Sequence, residues 1–200
     1  MSSVVPDPAA TPPQTARVVN IANGLTLLRI LLVPVFAYAL VQEDGQDTGW
    51  RVAACVIFAI ASLTDRLDGD LARRRGQVTE LGKLADPIAD KALTGTALVG
   101  LSALDLLPWW VTVVILVREV GVTLLRFWVI RHGVIPASRG GKLKTLLQSV
   151  AIGLYLLPLA DALATVAAVT MGAAVVVTVV TGVDYVARAL ALRRSAAGDR

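Results

Sequence analysis

Four aspartates set the chemistry open to this chain. Asp65 and Asp68 stand three residues apart and Asp86 and Asp90 four apart, in a stretch at 64–91 that reads TDRLDGDLARRRGQVTELGKLADPIADK. Spacings of three and four put each pair on one face of a helix. Long apolar runs flank the stretch, and ionisable groups at the edge of a membrane-type segment are costly enough to mark a functional site. Carboxylates gathered at low dielectric repel one another strongly, and divalent cations relieve that repulsion. With no histidine or cysteine in the stretch, hard oxygen donors select Mg²⁺, Mn²⁺ or Ca²⁺ over zinc. Two cations bridged by shared carboxylates would suit phosphoryl transfer, clamping the oxygens of an in-line displacement. Acidic residues at helix N-termini also act as simple dipole partners, a reading that suits Asp86 or Asp90 alone better than the set of four.

The small and basic neighbours fit the same chemistry. Gly69 and Ala72 share a helical face with Asp65 and Asp68 and leave room for a flat ligand near the backbone. Arg73, four residues after Gly69, offers a guanidinium fork to a phosphate. Gly82, one turn before Asp86, permits a second close approach.

These residues need long helices to hold them. The chain has 200 residues, 56% hydrophobic and only 17% charged, where a soluble domain carries about 25% charged residues. With a mean hydropathy of +0.69, the expected fold is an all-α integral membrane protein. A spanning helix takes about 20 apolar residues. Six such segments are expected near 25–41, 50–71, 81–104, 108–130, 143–159 and 163–189, with Pro34 a kink in the first. Residues 1–16 are rich in proline, alanine, serine and threonine, lack the basic start and apolar run of a signal peptide, and read as a disordered tail. A short interfacial segment at 17–23 would precede the first span. The membrane domain is then 17–190 and a basic tail 191–200.

Loop charge orients the spans. Arg73, Arg74, Arg75 and Lys83 follow the second, Arg131, Arg139, Lys142 and Lys144 the fourth, and Arg188, Arg193, Arg194 and Arg200 the sixth. The other connections carry Glu43, Asp44 and Asp47, or Asp105, or Asp161. The excess of lysine and arginine on alternate loops places both termini and the aspartate stretch on the cytoplasmic side. The net charge of +4 therefore suits anionic lipid rather than nucleic acid. Cys55, the one cysteine, lies in an apolar run and reads as an inert buried thiol. His132, the one histidine, reads as a solvated loop residue.

The pattern D-x-x-D-G-x-x-A-R-x8-G-x3-D-x3-D, carried here by Asp65, Asp68, Gly69, Ala72, Arg73, Gly82, Asp86 and Asp90 without departure, resembles the signature of the CDP-alcohol phosphotransferase family. That resemblance implies six transmembrane helices, a homodimer in the bacterial cytoplasmic membrane, and two divalent cations, Mg²⁺ or Mn²⁺. It implies displacement of CMP from a CDP-linked lipid by an acceptor hydroxyl. On this resemblance Asp65, Asp68, Asp86 and Asp90 hold metal, and Asp90 is also the base. Gly69, Ala72, Arg73 and Thr79 face the CDP moiety, and Asn23 and Thr26 close the nucleotide site. Asn23 also suits a helix N-cap.

Further stretches, at 20–36, 81–91, 118–133 and 141–148, resemble the branch of that family whose donor is CDP-diacylglycerol and whose acceptor is glycerol 3-phosphate. The acceptor's dianionic phosphate needs fixed positive charge. Arg118 and Arg126 lie within an apolar span, where loop charge bias does not explain them, and Lys142 and Lys144 open the next span. These four are the expected acceptor pocket, with Glu119 a partner for one of the arginines. Arg29 is open between substrate contact, pairing with a carboxylate, and snorkelling towards the headgroups. Two other readings compete: a lipid or inositol phosphate acceptor within the family, and a cation transporter using its carboxylates as an ion site. Transporters of that kind often show internal repeats and broken helices at mid-membrane, whereas here no repeat is visible and the carboxylates lie at the cytoplasmic edge.

Overall fold

The computed structural model describes residues 21–75, 80–129 and 139–198; the side chains at 21–23, 65–75, 80–87, 139, 161 and 195–198 lie outside the description. Among the described residues the protein is all-helical: α1 (Ile21–Val41), α2 (Thr48–Arg75), α3 (Glu80–Ala103), α4 (Trp109–Val129), α5 (Arg139–Leu156) and α6 (Asp161–Gly198). Each apolar run forms one helix. Ile21 to Asn23 are continuous with α1, so Asn23 lies within the helix rather than capping it. Pro34 is also inside α1. α6 runs past the apolar segment to Gly198, so most of the basic tail is helical.

Local chemistry sets several helix ends. α1 ends in a turn in which Glu43, Asp44 and Gly45 take φ of 49°, 51° and 67°. The third is a glycine, which takes a left-handed φ without steric cost; a Cβ there would stand 2.7 Å from Leu104 Cδ1, so that side chain would have to shift. Asp47 then caps α2, its Oδ1 accepting from the Trp50 amide at 2.8 Å, the usual service of an aspartate to an orphan N–H. At the end of α5, Arg51 donates to the carbonyls of Tyr155, Leu156 and Leu157 at 2.8, 3.2 and 3.1 Å. The turn after α1, the start of α2, and the ends of α3 and α5 therefore share one end of the bundle.

α1 packs on α2 and α3, α4 and α5 pack on α6, and α3 joins the groups through α4 and α5. The core between them is apolar: Phe36, Leu40, Leu98, Leu101, Ile115, Ile152 and Leu156 are fully buried, and the rings of Phe36 and Phe58 sit 5.8 Å apart. Ser102 and Thr112 share a buried hydrogen bond of 2.7 Å between α3 and α4, and Thr112 also donates to the Leu98 carbonyl at 3.1 Å. Outward faces are equally apolar, with Val117, Leu124, Phe127, Val169, Val176 and Val183 all more than three-fifths exposed. Two helices contain segments long and apolar enough to cross a membrane, Gly24–Gly45 and Ala162–Arg194, among the described residues.

Candidate active site

The aspartate motif falls on two helices that pack against each other. Asp65, Asp68, Gly69, Ala72 and Arg73 occupy the last turns of α2, and Gly82, Asp86 and Asp90 the first half of α3. Of these side chains only that of Asp90 is described. Thr79 lies outside the described residues, as do His132 and Arg131, while Asn23 and Arg139 are placed by backbone alone.

Asp90 lines a cavity of about 140 Å³. The walls come from α3, through Asp90, Lys91 and Thr94, from α4, through Glu119, and from α5, through Lys144, Thr145, Gln148 and Ser149; Leu116 and Val120 give it an apolar side. The cavity belongs to the end of the bundle opposite the α1–α2 turn, where α3 and α5 begin and α4 finishes.

Electrostatics in the cavity centre on Glu119. Its Oε1 accepts from Arg118 Nη1 at 3.1 Å and from Lys144 Nζ, and its Oε2 from Lys91 Nζ at 3.3 Å. Three helices each send one cation to one carboxylate. Lys144 is only 5% exposed, and a buried ammonium needs such a partner. Arg118 has a second anchor, Thr181 Oγ1 on α6, at 3.1 Å. Gln148 is buried too and donates to Thr178 Oγ1 at 3.2 Å.

The expected acceptor set therefore divides. Arg118 and Lys144 come together at Glu119, whereas Arg126 and Lys142 are exposed and lie outside that cluster. Lys91 and Gln148 belong to the cavity and were not among the residues singled out by sequence. A signal for Lys91 existed: it directly follows Asp90. Glu119 was foreseen as an arginine's partner, and it holds two lysines as well.

On α1, Thr26 is 3% and Arg29 1% exposed. Arg29 Nε donates to the Ala61 carbonyl on α2 at 3.3 Å, one turn before Asp65. Burial at this depth excludes the snorkelling orientation for Arg29, because its guanidinium points into the bundle. Cys55 is partly buried, with Sγ 3.5 Å from the Gly153 carbonyl.

Residues 19–180 match the family model of the CDP-alcohol phosphatidyltransferases. The chain belongs to that family. It is similar to a protein of Mycobacterium tuberculosis (strain H37Rv) named "Probable phosphatidylglycerophosphate synthase", with 62% identity over 175 residues, 88% of this chain and 84% of the relative. It is 37% identical over 186 residues to the CDP-diacylglycerol–glycerol-3-phosphate 3-phosphatidyltransferase of Bacillus subtilis (strain 168), covering 83% of this chain and 93% of that one. A CMP-forming cardiolipin synthase of Streptomyces coelicolor is 38% identical over 126 residues, 62% of this chain and 57% of its own length. As a CDP-alcohol phosphatidyltransferase the chain is a transferase of phospholipid biosynthesis. The aspartate motif at 65–90 lies wholly inside the matched region.

Proposed function

We propose that this CDP-alcohol phosphatidyltransferase transfers the phosphatidyl group of CDP-diacylglycerol to the sn-1 hydroxyl of glycerol 3-phosphate, giving phosphatidylglycerol phosphate and CMP. The observation that carries this reading is one cavity bounded both by Asp90, the last aspartate of the motif, and by Lys144, an expected anchor of the acceptor phosphate. A base and a phosphate anchor facing one small space are what a small phosphorylated alcohol requires. Drug-sized ligands fill about 300–1,000 Å³, so this cavity suits a compact acceptor. The relatives from M. tuberculosis and B. subtilis, matched over most of their lengths, point to the same acceptor.

In this reading Asp90 takes the proton of the sn-1 hydroxyl, and the freed oxygen attacks the β-phosphorus. The new oxygen–phosphorus bond forms as the bond to the bridging oxygen breaks, and that electron pair leaves with CMP. Among the described residues of the cavity no side chain stands out as a covalent nucleophile, which supports a direct displacement within a ternary complex. Arg118 and Lys144 bind the acceptor phosphate, with Arg126 and Lys142 at the approach. Gly69, Ala72, Arg73, Thr79, Asn23 and Thr26 hold the CDP moiety. Asp65, Asp68, Asp86 and Asp90 form a set of hard oxygen donors, and the described residues that line the cavity include neither thiol nor imidazole; the set fits two Mg²⁺ or Mn²⁺ ions. Such ions, when bound, would neutralise the diphosphate and the departing CMP.

The protein would span the bacterial cytoplasmic membrane six times as a homodimer, both termini and the active site facing the cytoplasm, with 17–190 as the membrane domain. Two observations support the alternation of spans: Gly45 meets Leu104 and Arg51 meets the end of α5, which brings the acidic connections to one end of the bundle. The basic connections then share the other end, as the positive-inside rule asks of a cytoplasmic face.

The cardiolipin synthase relative favours a second acceptor, phosphatidylglycerol. CMP release by the purified protein in lipid, with CDP-diacylglycerol, Mg²⁺ or Mn²⁺ and one acceptor at a time, separates the two. Release with glycerol 3-phosphate alone is expected. Release only with phosphatidylglycerol or inositol phosphate would replace the acceptor, and release with none of the three would overturn this pairing of donor and acceptor.

A further inference from the structure

We infer that Glu119 is the positioning residue of the acceptor pocket: its carboxylate gathers Lys91, Arg118 and Lys144 into one cationic wall on which the acceptor's phosphate docks. The inference deepens the proposed function and rests on its choice of acceptor.

The geometry distinguishes this from a plain tie between helices. One partner would suffice to join α4 to a neighbour. Glu119 instead takes a cation from each of α3 and α5 as well as its neighbour Arg118, using both carboxylate oxygens. The cluster keeps an excess of two positive charges, the complement of a phosphomonoester dianion. Three cations this close repel one another, and the carboxylate they share offsets that repulsion. They are not equally dependent on it. Arg118 is also held by Thr181 and packs so closely on α6 that a Cβ at Gly182 would stand 3.0 Å from its Cγ. Lys91 is about one-third exposed and can swing to solvent once Glu119 is neutral. Lys144, nearly buried, has Glu119 as its ion-pair partner among the described residues. Glu119 therefore acts chiefly through the two lysines. Lys91 and Asp90 both line the cavity, so the cationic wall and the base face one space.

The test is steady-state CMP release by the full-length protein in lipid, with wild type, Glu119→Gln, Glu119→Asp, Lys144→Met and the double variant Glu119→Gln/Lys144→Met. Glu119→Gln is expected to raise the KM for glycerol 3-phosphate about tenfold or more, leaving the KM for CDP-diacylglycerol within about twofold and kcat within about threefold; that split marks lost ground-state binding. Glu119→Asp should recover part of the loss. The double variant should fall no further than the worse single one, the non-additivity of groups acting as a unit. An acceptor KM within twofold of wild type in Glu119→Gln overturns the inference, as does an equal rise in both KM values, the mark of a general structural fault. If Glu119→Gln does not fold, Glu119→Asp carries the test: a rise of about threefold in the acceptor KM alone supports the inference and its absence overturns it. A wild-type protein inactive with glycerol 3-phosphate but active with another acceptor overturns the proposed function instead, and this inference with it.

Discussion

Arg118 and Thr181 join α4 to α6: the guanidinium Nη2 donates to the threonine Oγ1 at 3.1 Å. That hydroxyl is itself fixed, donating back to the carbonyls of Val177 and Thr178 at 2.7 and 3.2 Å. α6 thus helps to set the direction of an arginine proposed to bind the acceptor phosphate. Thr181→Val keeps the volume and removes the acceptor oxygen. Hydrogen bonds to charged groups contribute about 1.5–3 kcal/mol, and Arg118 retains Glu119 as a partner. The expected outcome is a rise in the KM for glycerol 3-phosphate of about three- to tenfold, with kcat little changed, read from CMP release. An unchanged acceptor KM would show that the tether is not used.

Asp90 carries the strongest kinetic expectation. General-base catalysis contributes about 10²–10⁴-fold, and Asp90 has the further assignment of holding metal. Asp90→Asn, which keeps the shape and removes the charge, should lower kcat by at least about 10²-fold. CDP-diacylglycerol binding, followed separately by titration, should weaken far less. Asp90→Ala with normal turnover would remove its assignment as base.

Chelation tests the donor set as a whole. Stripping divalent cations with EDTA should stop CMP release, and Mg²⁺ or Mn²⁺ should restore it. Zn²⁺ should restore it poorly, because a set of carboxylates without thiol or imidazole favours hard cations. Turnover that persists in EDTA would separate the aspartate motif from metal binding.

The helices were legible because apolar runs mark them and hydropathy reads such runs directly, although among the described residues only α1 and α6 contain segments long and apolar enough to cross a membrane. It ended the last helix too early. Residues after 189 are charged, which stops a hydropathy segment, yet alanine, leucine and arginine are strong helix formers, so α6 continues to Gly198. The site was legible in proportion to its regularity. The aspartates stand out by spacing alone, and Arg118 by being a charge in an apolar span. The meeting of Lys91, Glu119 and Lys144 was not legible, since it depends on how α3, α4 and α5 pack. Arg29 was ambiguous for the same reason: whether it snorkels or turns inward is decided by its facing the Ala61 carbonyl of α2.

Arg51 offers a contrast, a cation engaged far from the cavity. It collects three carbonyls at the end of α5, groups that a helix terminus otherwise leaves without partners. Arg51→Met keeps much of the stem and removes the donors. It should cost about 1.5–3 kcal/mol of stability, seen as a lower unfolding midpoint in detergent. Both KM values should stay within about twofold. A shift in the acceptor KM would contradict the placement of Arg51 at the end of the bundle opposite Asp90.

Gly100 tests the packing that holds α1 against α3. A Cβ there would stand 2.5 Å from Leu40 Cδ2, and Leu40 is 1% exposed, so it has little room to yield. Two effects oppose each other in Gly100→Ala. Alanine in a helix interior is favoured over glycine by about 0.8–1.0 kcal/mol, while overpacking a filled core costs about 1–3 kcal/mol. The packing effect should win, lowering the unfolding midpoint. Shortening Leu40 removes the opposing contact, so the sign should reverse in that background: Gly100→Ala made on Leu40→Ala should stabilise relative to Leu40→Ala alone. If Gly100→Ala stabilises in both backgrounds, α1 and α3 do not approach as closely as this contact requires.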